Sequence, residues 1–336
     1  MRIIRPIALQ DLDALLHMAQ NAGAGFTSLP PERETLRKKI ERSLASFAEA
    51  VDSPGHQRYM FVVEETDSGE IGGCCAVEAA CGLDEPFYNY RVGQTVHASR
   101  TLGVYSRVPT LYLSNDLTGT SVLCSLYLAP EFRAGGIGHL LSKSRFLFMA
   151  AHPRRFADKV IAEMRGVSDD SGRSPFWEGL GRHFFAIEYD DAEHIVGQGN
   201  KACIAELMPK HPIYTVLLPP EAQAVMGQVH PGTAPALKLL EQEGFRYQGY
   251  VDIFDGGPSV EAPVDAVQSI ARSQRLPVRL VESSTGVLHL VANDGLADFR
   301  CALAELSPAA DGVEIPAAAA QQLKLKPGDA ARIVAL

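Results

Sequence analysis

The chain has 336 residues, of which 46% are apolar and 21% are charged, with a net charge of −9. This is an ordinary globular composition with enough apolar side chains for a sizeable core, and the length suggests about two domains. It excludes collagen, a coiled coil and intrinsic disorder as descriptions of the whole chain. The acidic balance argues against a nucleic-acid partner, which needs a broad basic surface. We find no membrane span and no signal peptide, so we expect a cytoplasmic protein.

The cysteines and histidines show no spacing typical of a metal site or a disulfide framework. No two of the six cysteines form a C-x-x-C pair, and no H-x-x-x-H pair occurs among the ten histidines. We expect reduced thiols that act as small apolar side chains. Cys74 and Cys75 are adjacent and should point to opposite faces of a strand. The full set is Cys74, Cys75, Cys81, Cys124, Cys203 and Cys301.

Hydrophobic periodicity and turn residues define the elements of the first part of the chain. In chain order they are a helix from Leu12 to Ala19, a helix after Pro30-Pro31, a hairpin of Tyr59 to Glu64 and Glu70 to Val77, an insertion with short strands over 81–120, a central strand from Val122 to Leu128, a long amphipathic helix that opens near Gly138, a short strand from Val160 to Met164, and a helix with Ser174 as its cap.

A second unit begins near residue 200 and ends in a small β module. Its predicted elements are a strand from Ile213 to Leu218, helices after Pro219-Pro220 and after Ala234-Pro235, a strand from Tyr247 to Phe254, a linker from Asp255 to Gln274, and module strands at Val278 to Val281, at Val287 to Ala292 and at Arg332 to Val334.

The strongest motif is Arg133-x-x-Gly136-x-Gly138, which follows a predicted strand and opens a predicted helix. Its glycines let the backbone approach a ligand closely, and the first amides of the helix, with the helix dipole, favour an anion such as a pyrophosphate. It is neither a Rossmann fingerprint nor a P-loop, because G-x-G-x-x-G and G-K-[S/T] are absent. A glycine-rich turn without a ligand is the alternative.

The order of elements around this motif resembles the GCN5-related N-acetyltransferase (GNAT) fold, an α+β fold in which the motif binds the pyrophosphate of coenzyme A. The segment from Ala236 to Phe245 is similar to the last helix and strand of that fold, yet it lies about a hundred residues later. We prefer two tandem GNAT-like halves with a small C-terminal β module, divided at 1–199, 200–260 and 261–336. One domain with a large insertion is the alternative.

Six segments are similar to the arginine N-succinyltransferase family. They are Leu126 to Pro130 (LYLAP), Gly138 to Phe146 (GHLLSKSRF), Glu163 to Gly166 (EMRG), Ser174 to Glu178 (SPFWE), Gly181 to Phe185 (GRHFF) and Val229 to Ala234 (VHPGTA). The resemblance implies transfer of succinyl from succinyl-CoA to the α-amine of L-arginine, without a tightly bound cofactor. It also implies a homo-oligomer or a hetero-oligomer with a paralogous subunit. Ornithine or another amino acid as acceptor, and a non-catalytic partner subunit, are the alternatives.

The resemblance also assigns site residues. The proton donor of the family matches His230, and the histidine most easily confused with it is His211. The contacts to succinyl-CoA match Leu126 and imply Leu128, Arg133, Gly135, Gly136 and Gly138. Glu163 and Arg165 lie on the strand beside the acceptor site, where a carboxylate suits a guanidinium and a cation suits a carboxylate. Ion pairing of these two residues within the protein, and a core position for Trp177, are the simpler explanations.

Charge is unevenly distributed near the motif. Between Arg133 and Lys159 there are six cations and one acid, Asp158. We therefore expect a positive potential around the loop, in spite of the overall acidic balance. The cations are Arg133, Lys143, Arg145, Arg154, Arg155 and Lys159.

Overall fold

The computed structural model describes residues 1–22, 28–169, 171–189, 191–192, 195 and 206–336. The predicted α+β class is confirmed, since one large sheet carries helices on its faces. Cys203 and the predicted division between residues 199 and 200 lie outside the described residues. None of the described helices is long and apolar enough to cross a bilayer.

The first part of the chain follows the predicted order of helices and strands. Its elements are β1 (Arg2–Pro6), α1 (Leu12–Asn21), α2 (Arg33–Ala48), β2 (Arg58–Glu65), β3 (Glu70–Glu78), β4 (Asn89–Ser99), β5 (Val104–Ser114), β6 (Ser121–Leu128), α3 (Ile137–Ala151) and β7 (Lys159–Glu163). The expected short strands of the insertion are wrong, because β4 and β5 are eleven residues each and pair along their whole length. The outer half of this hairpin is mostly exposed, so it lacks the apolar alternation that reveals a strand.

The rest of the chain contains α4 (Pro175–Gly179), α5 (Arg182–Phe185), β8 (Ile213–Tyr214), α6 (Pro220–Val225), α7 (Ala234–Gln242), β9 (Arg246–Val251), β10 (Pro258–Pro263), α8 (Gln268–Ala271), β11 (Gln274–Val281), β12 (Val287–Asn293), β13 (Cys301–Leu306), β14 (Val313–Pro316), α9 (Ala317–Gln322) and β15 (Ala330–Ala335). Two predictions are wrong here. The strand predicted to reach Leu218 ends at Tyr214 and continues as a 3-10 turn. The predicted linker contains β10, which pairs with both β7 and β9.

The strand order is β14-β11-β15-β12-β13-β1-β2-β3-β6-β7-β10-β9-β4-β5-β8. Strands β9 and β10 do not form a sheet of their own with the rest of residues 200–260, but extend the sheet of the first part beside β7. The two tandem halves, and one domain with a large insertion as their alternative, both stay predictions. The division at residue 260 stays a prediction, and this position lies inside β10.

The main core lies between α3 and the sheet. Phe47, Tyr59, Phe61, Phe148 and Phe299 form ring contacts, most of them edge-to-face, with centroids 5.0–5.7 Å apart. These contacts join α2, β2 and α3 to the segment before β13. The prediction that Cys74 and Cys75 point to opposite faces of a strand is confirmed. Cys75 packs in this core, and Cys74 packs on the opposite face, against α1 and α2.

Candidate active site

The parallel strands β6 and β7 separate along their length. In the described part of the chain they pair only at Ser121 with Val160 and at Val122 with Ile161. From Leu123 onward the edge of β6 that faces β7 therefore borders a cleft. This separated stretch includes Ser125 to Leu128, directly before the glycine loop. A backbone edge of this kind offers N–H and C=O groups to an extended ligand.

A bulge in β6 sits at the edge of this cleft. Ser125 has a φ of +53°, and the register between β3 and β6 shifts at the same place. Three groups hold the bulge: the Ser28 hydroxyl accepts from the Ser125 N–H at 3.2 Å, the buried Arg58 guanidinium donates to the Ser125 hydroxyl at 2.8 Å, and the Cys74 thiol donates to the Ser125 carbonyl at 3.4 Å. The strained backbone is thus fixed by its surroundings.

Leu126 and Leu128 follow the bulge, and both side chains are half-buried. They pack against the core formed around α3. The carbonyl of Leu128 accepts a hydrogen bond of 3.0 Å from Nε of Arg133. This bond ties the start of the glycine loop to the end of β6.

The glycine loop brings the N-terminus of α3 to the mouth of the cleft. Gly135 and Gly136 have φ values of +63° and +78°, a backbone conformation that side chains disfavour. A Cβ at Gly135 would meet nothing within 4 Å, and one at Gly138 would only reach Leu128 at 4.0 Å. The first turn of α3 contains no acidic residue that would offset the helix dipole. The open approach and the helix end together suit an anionic group.

The expected positive potential around the loop is only partly present. Arg133 is exposed beside the loop, but Lys143, Arg145 and Arg155 are buried. Lys143 forms an ion pair with Glu243 at 3.0 Å, and Arg155 donates to the Tyr59 hydroxyl at 2.9 Å. These cations are part of the core because their side chains are buried and their charged groups find partners there. The charge count overestimated the field at the loop.

His139 in the first turn of α3 was not predicted as a site residue from the sequence. Burial, together with the charge of Lys143 one turn later, lowers its pKa. Its Nδ1 is buried and has no hydrogen-bond partner among the described residues. A neutral imidazole therefore lies next to the loop.

His230 lies on the other side of the cleft, in the turn that leads into α7. Its backbone N–H donates to the carbonyl of Arg165 at 2.8 Å, and an isolated bridge joins Gly166 to Val229. Its Nδ1 accepts a hydrogen bond of 3.0 Å from the N–H of Gly232. The neutral ring consequently carries its proton on Nε2. The fold thus brings together Arg165 and His230, which are 65 positions apart in the chain.

Asp255 fixes this region, although the sequence predicted only the start of a linker there. Its carboxylate is 6% exposed and accepts from the N–H of Gly166 at 2.6 Å and from the N–H of Gly257 at 2.7 Å. A hydrogen bond of 2.8 Å from Gly227 to Gly256 adds a second link to the His230 segment. The turn between β9 and β10 therefore holds both the end of β7 and the His230 turn.

Glu163 and Arg165 lie at the end of β7. Oε1 of Glu163 accepts from Nδ2 of Asn89 at 2.9 Å. Nη2 of Arg165 donates to the Ser168 hydroxyl at 2.9 Å, while its Nε is buried and has no partner among the described residues. Arg165 forms no ion pair within 4 Å with another described residue, so ordinary ion pairing does not account for Arg165. Trp177 is fully buried, as expected for a core residue.

The splayed strands, with a glycine loop on the N-terminus of α3, define an acyl-CoA-dependent N-acyltransferase of GNAT-like fold. The chain matches the family model of the arginine N-succinyltransferase beta subunit over residues 2–269, and the model of its C-terminal domain over residues 274–335. The chain belongs to the arginine N-succinyltransferase family.

Relatives match along the whole chain. This chain is 51% identical over 338 aligned positions to the arginine N-succinyltransferases of Salmonella schwarzengrund and Salmonella agona, and the alignment covers 98% of each. Among solved structures, arginine/ornithine succinyltransferase subunit AI from Pseudomonas aeruginosa is 41% identical, with a TM-score of 0.93. That alignment covers 100% of this chain and 98% of the other.

Proposed function

We propose that this protein transfers the succinyl group of succinyl-CoA to the α-amine of L-arginine. The observation that carries the proposal is the cleft itself, with the glycine loop on one wall and the His230 turn on the other, in a chain that matches the family models over nearly its full length. CoA as the co-substrate is common to proteins of this fold. The assignment of succinyl as the acyl group and of arginine as the acceptor rests on membership of the family.

The donor lies along the cleft in this proposal. The backbone of Leu126 and Leu128 binds the acyl and pantetheine parts, and Gly135, Gly136 and Gly138 with Arg133 hold the pyrophosphate. The exposed guanidinium of Arg133 keeps N–H groups beyond the one that binds Leu128, so it can reach a phosphate oxygen.

Acyl transfer forms the C–N bond and breaks the C–S bond of the thioester. The arginine ammonium loses two protons, of which one ends on the sulfur of CoA and one in the solvent. His230 carries the first of these protons: Nε2–H donates to the leaving sulfur, and the ring recovers a proton from the attacking nitrogen. The Gly232 N–H on Nδ1 supports this role because it keeps the transferable proton on Nε2.

The acceptor lies at the end of β7. Glu163 faces the cationic end of the amino acid, and Arg165, with its buried and unpartnered Nε, faces a carboxylate. Ornithine is a second candidate acceptor, because the Pseudomonas aeruginosa relative is named for both arginine and ornithine. Assembly as a homo-oligomer or with a paralogous subunit, and a place in the cytoplasm, are further parts of the proposal.

The test is release of free CoA thiol by the purified chain. Succinyl-CoA and acetyl-CoA are each offered with L-arginine, with L-ornithine and without an amine. We expect release with succinyl-CoA and arginine, and much less with acetyl-CoA. No release with any amine would leave the alternative of a non-catalytic subunit, and a preference for ornithine would change the acceptor.

A further inference from the structure

A narrow recess opens at the end of β7, beside the turn between β9 and β10. Two carboxylates, Glu163 and Asp252, and two aromatic side chains, Tyr88 and Phe254, contribute to its lining. None of its six lining residues is a cation. The lining residues are Pro86, Tyr88, Glu163, Asp252, Ile253 and Phe254.

The carboxylate of Asp252 is oriented by its own turn. Its Oδ1 accepts from the N–H of Phe254 at 2.7 Å and from the N–H of Asp255 at 3.1 Å. Glu163 is oriented by Asn89, as described above. A carboxylate can accept from several N–H groups at once, so both groups suit a cation that carries many donors.

Asn89 lies behind Glu163 and is not itself a lining residue of the recess. Its side chain is 1% exposed, and its Nδ2 donates to Glu163 at 2.9 Å and to the Ser259 hydroxyl at 3.4 Å. The acceptor on Glu163 fixes which end of the amide is the nitrogen. Its Oδ1, on the same amide carbon, is buried without a partner among the described residues. A buried acceptor of this kind is costly unless a donor arrives.

We propose that this recess binds the guanidinium group of the acceptor amino acid, an assignment that rests on the proposed function. A guanidinium is a planar cation with five N–H donors and no acceptor, which complements the two carboxylates of the recess. Its flat faces stack on aromatic rings such as those of Tyr88 and Phe254. The recess therefore selects arginine over an acceptor that ends in a neutral group or a short ammonium.

The distance between the recess and the His230 turn suits an arginine side chain. Glu163 precedes Arg165 by two residues, which is about 7 Å in an extended strand, and the Arg165 carbonyl binds the His230 backbone. An extended arginine side chain has a similar length. With its guanidinium in the recess, the amino acid can place its α-amine toward the His230 turn.

The test compares L-arginine with L-citrulline, a neutral isostere with the same α-amine, and uses Asp252→Asn and Glu163→Gln. Asn at position 252 still accepts the two backbone N–H groups, so the turn is kept. We expect each variant to raise the KM for arginine at least tenfold, to reduce the preference for arginine over citrulline, and to leave the KM for succinyl-CoA unchanged. Asp265→Asn, at an exposed acid outside the recess, is the control.

Two outcomes separate this proposal from the proposed function. If the wild-type chain uses arginine and both variants keep its preference over citrulline, the recess is not the guanidinium site and the function stands. If the wild-type chain turns over no amine, calorimetric titration of arginine in the presence of CoA decides. Binding that weakens at least tenfold in Asp252→Asn supports the recess without the activity, and equal or absent binding overturns it.

Discussion

The backbone N–H of His230 donates a hydrogen bond of 2.8 Å to the carbonyl oxygen of Arg165. This bond connects the turn before α7 to the end of β7, and so places the proposed proton donor beside the proposed acceptor residues. Asp255 stabilises the same joint through Gly166. The geometry of the cleft on this side depends on backbone contacts that a mutation can alter without touching a reacting atom.

Replacement of the proposed proton donor should lower turnover and spare donor binding. We expect His230→Gln to reduce kcat by about 10²–10⁴-fold, the usual contribution of a positioned acid or base. The Kd of succinyl-CoA, measured by calorimetry, should remain unchanged because the glycine loop lies on the other wall. The control is His211→Gln, at an exposed histidine just before β8. Wild-type turnover in His230→Gln would remove His230 from the mechanism.

Two glycines with the same backbone angle allow a test of whether the glycine loop binds succinyl-CoA. Gly135 and Gly103 both have a φ of +63°, and a Cβ would meet nothing within 4 Å at either position. Gly135→Ala and Gly103→Ala should each cost about 1–2 kcal/mol of stability. Only Gly135→Ala should weaken binding of succinyl-CoA, because Gly103 lies in the turn between β4 and β5. Equal CoA affinities in the two variants would contradict the assignment of the loop.

Asp255 should act on turnover through position alone. In Asp255→Asn an amide N–H would face one of the two backbone N–H groups that the carboxylate now binds. We expect about 1.5–3 kcal/mol of lost stability, and a kcat at least tenfold lower with an unchanged KM for succinyl-CoA. Asp329→Asn, at an exposed acid that accepts the Lys326 N–H in the C-terminal module, is the control. If Asp255→Asn loses stability but keeps kcat, the residue has only a structural role.

The stability of the protein should fall in mild acid through His152. Burial lowers the pKa of His152 below its ordinary value of 6.5, and its Nε2 lies 3.3 Å from the carbonyl of Gly295. Because the pKa is lower in the folded state, the unfolded chain binds more protons below about pH 6.5, so the free energy of unfolding decreases there. Thermal melts at about pH 7.5 and 5.5 should show a smaller difference in His152→Asn than in wild type. His17→Asn, at an exposed position, is the control. If the two variants show the same difference between the two melts, His152 is not the source of the pH dependence.

Local patterns predicted the parts of the site that are local in the chain. The strand, the glycine loop and the helix from Ser121 to Ala151 follow each other directly, so apolar runs and glycines are sufficient to define them. The role of His230 came from the family resemblance, because the residue type alone does not separate it from nine other histidines. Its contact with Arg165 depends on the tertiary fold, which periodicity does not reveal.

The errors have physical causes as well. Strand β10 begins and ends with proline and follows the glycines of the Asp255 turn, so a central strand looked like a linker. The charge count around the loop ignored burial, and Arg145 shows the consequence. Its guanidinium binds the carbonyl and hydroxyl of Ser142 inside the core, and burial lowers its pKa. Asn89 and Asp252 were missed because single polar residues at strand ends carry no sequence signal.

The pairing of β1 with β13, Ile3 opposite Ala302, has a consequence for how the chain folds. The two strands are about 300 residues apart, so the ribosome releases almost the whole chain before this contact can form. Until then one edge of β1 stays open beside β2, with unpaired N–H and C=O groups that another nascent chain can bind. The C-terminal module thus closes this edge of the sheet late, and β1 remains a site for intermolecular pairing until synthesis is nearly complete.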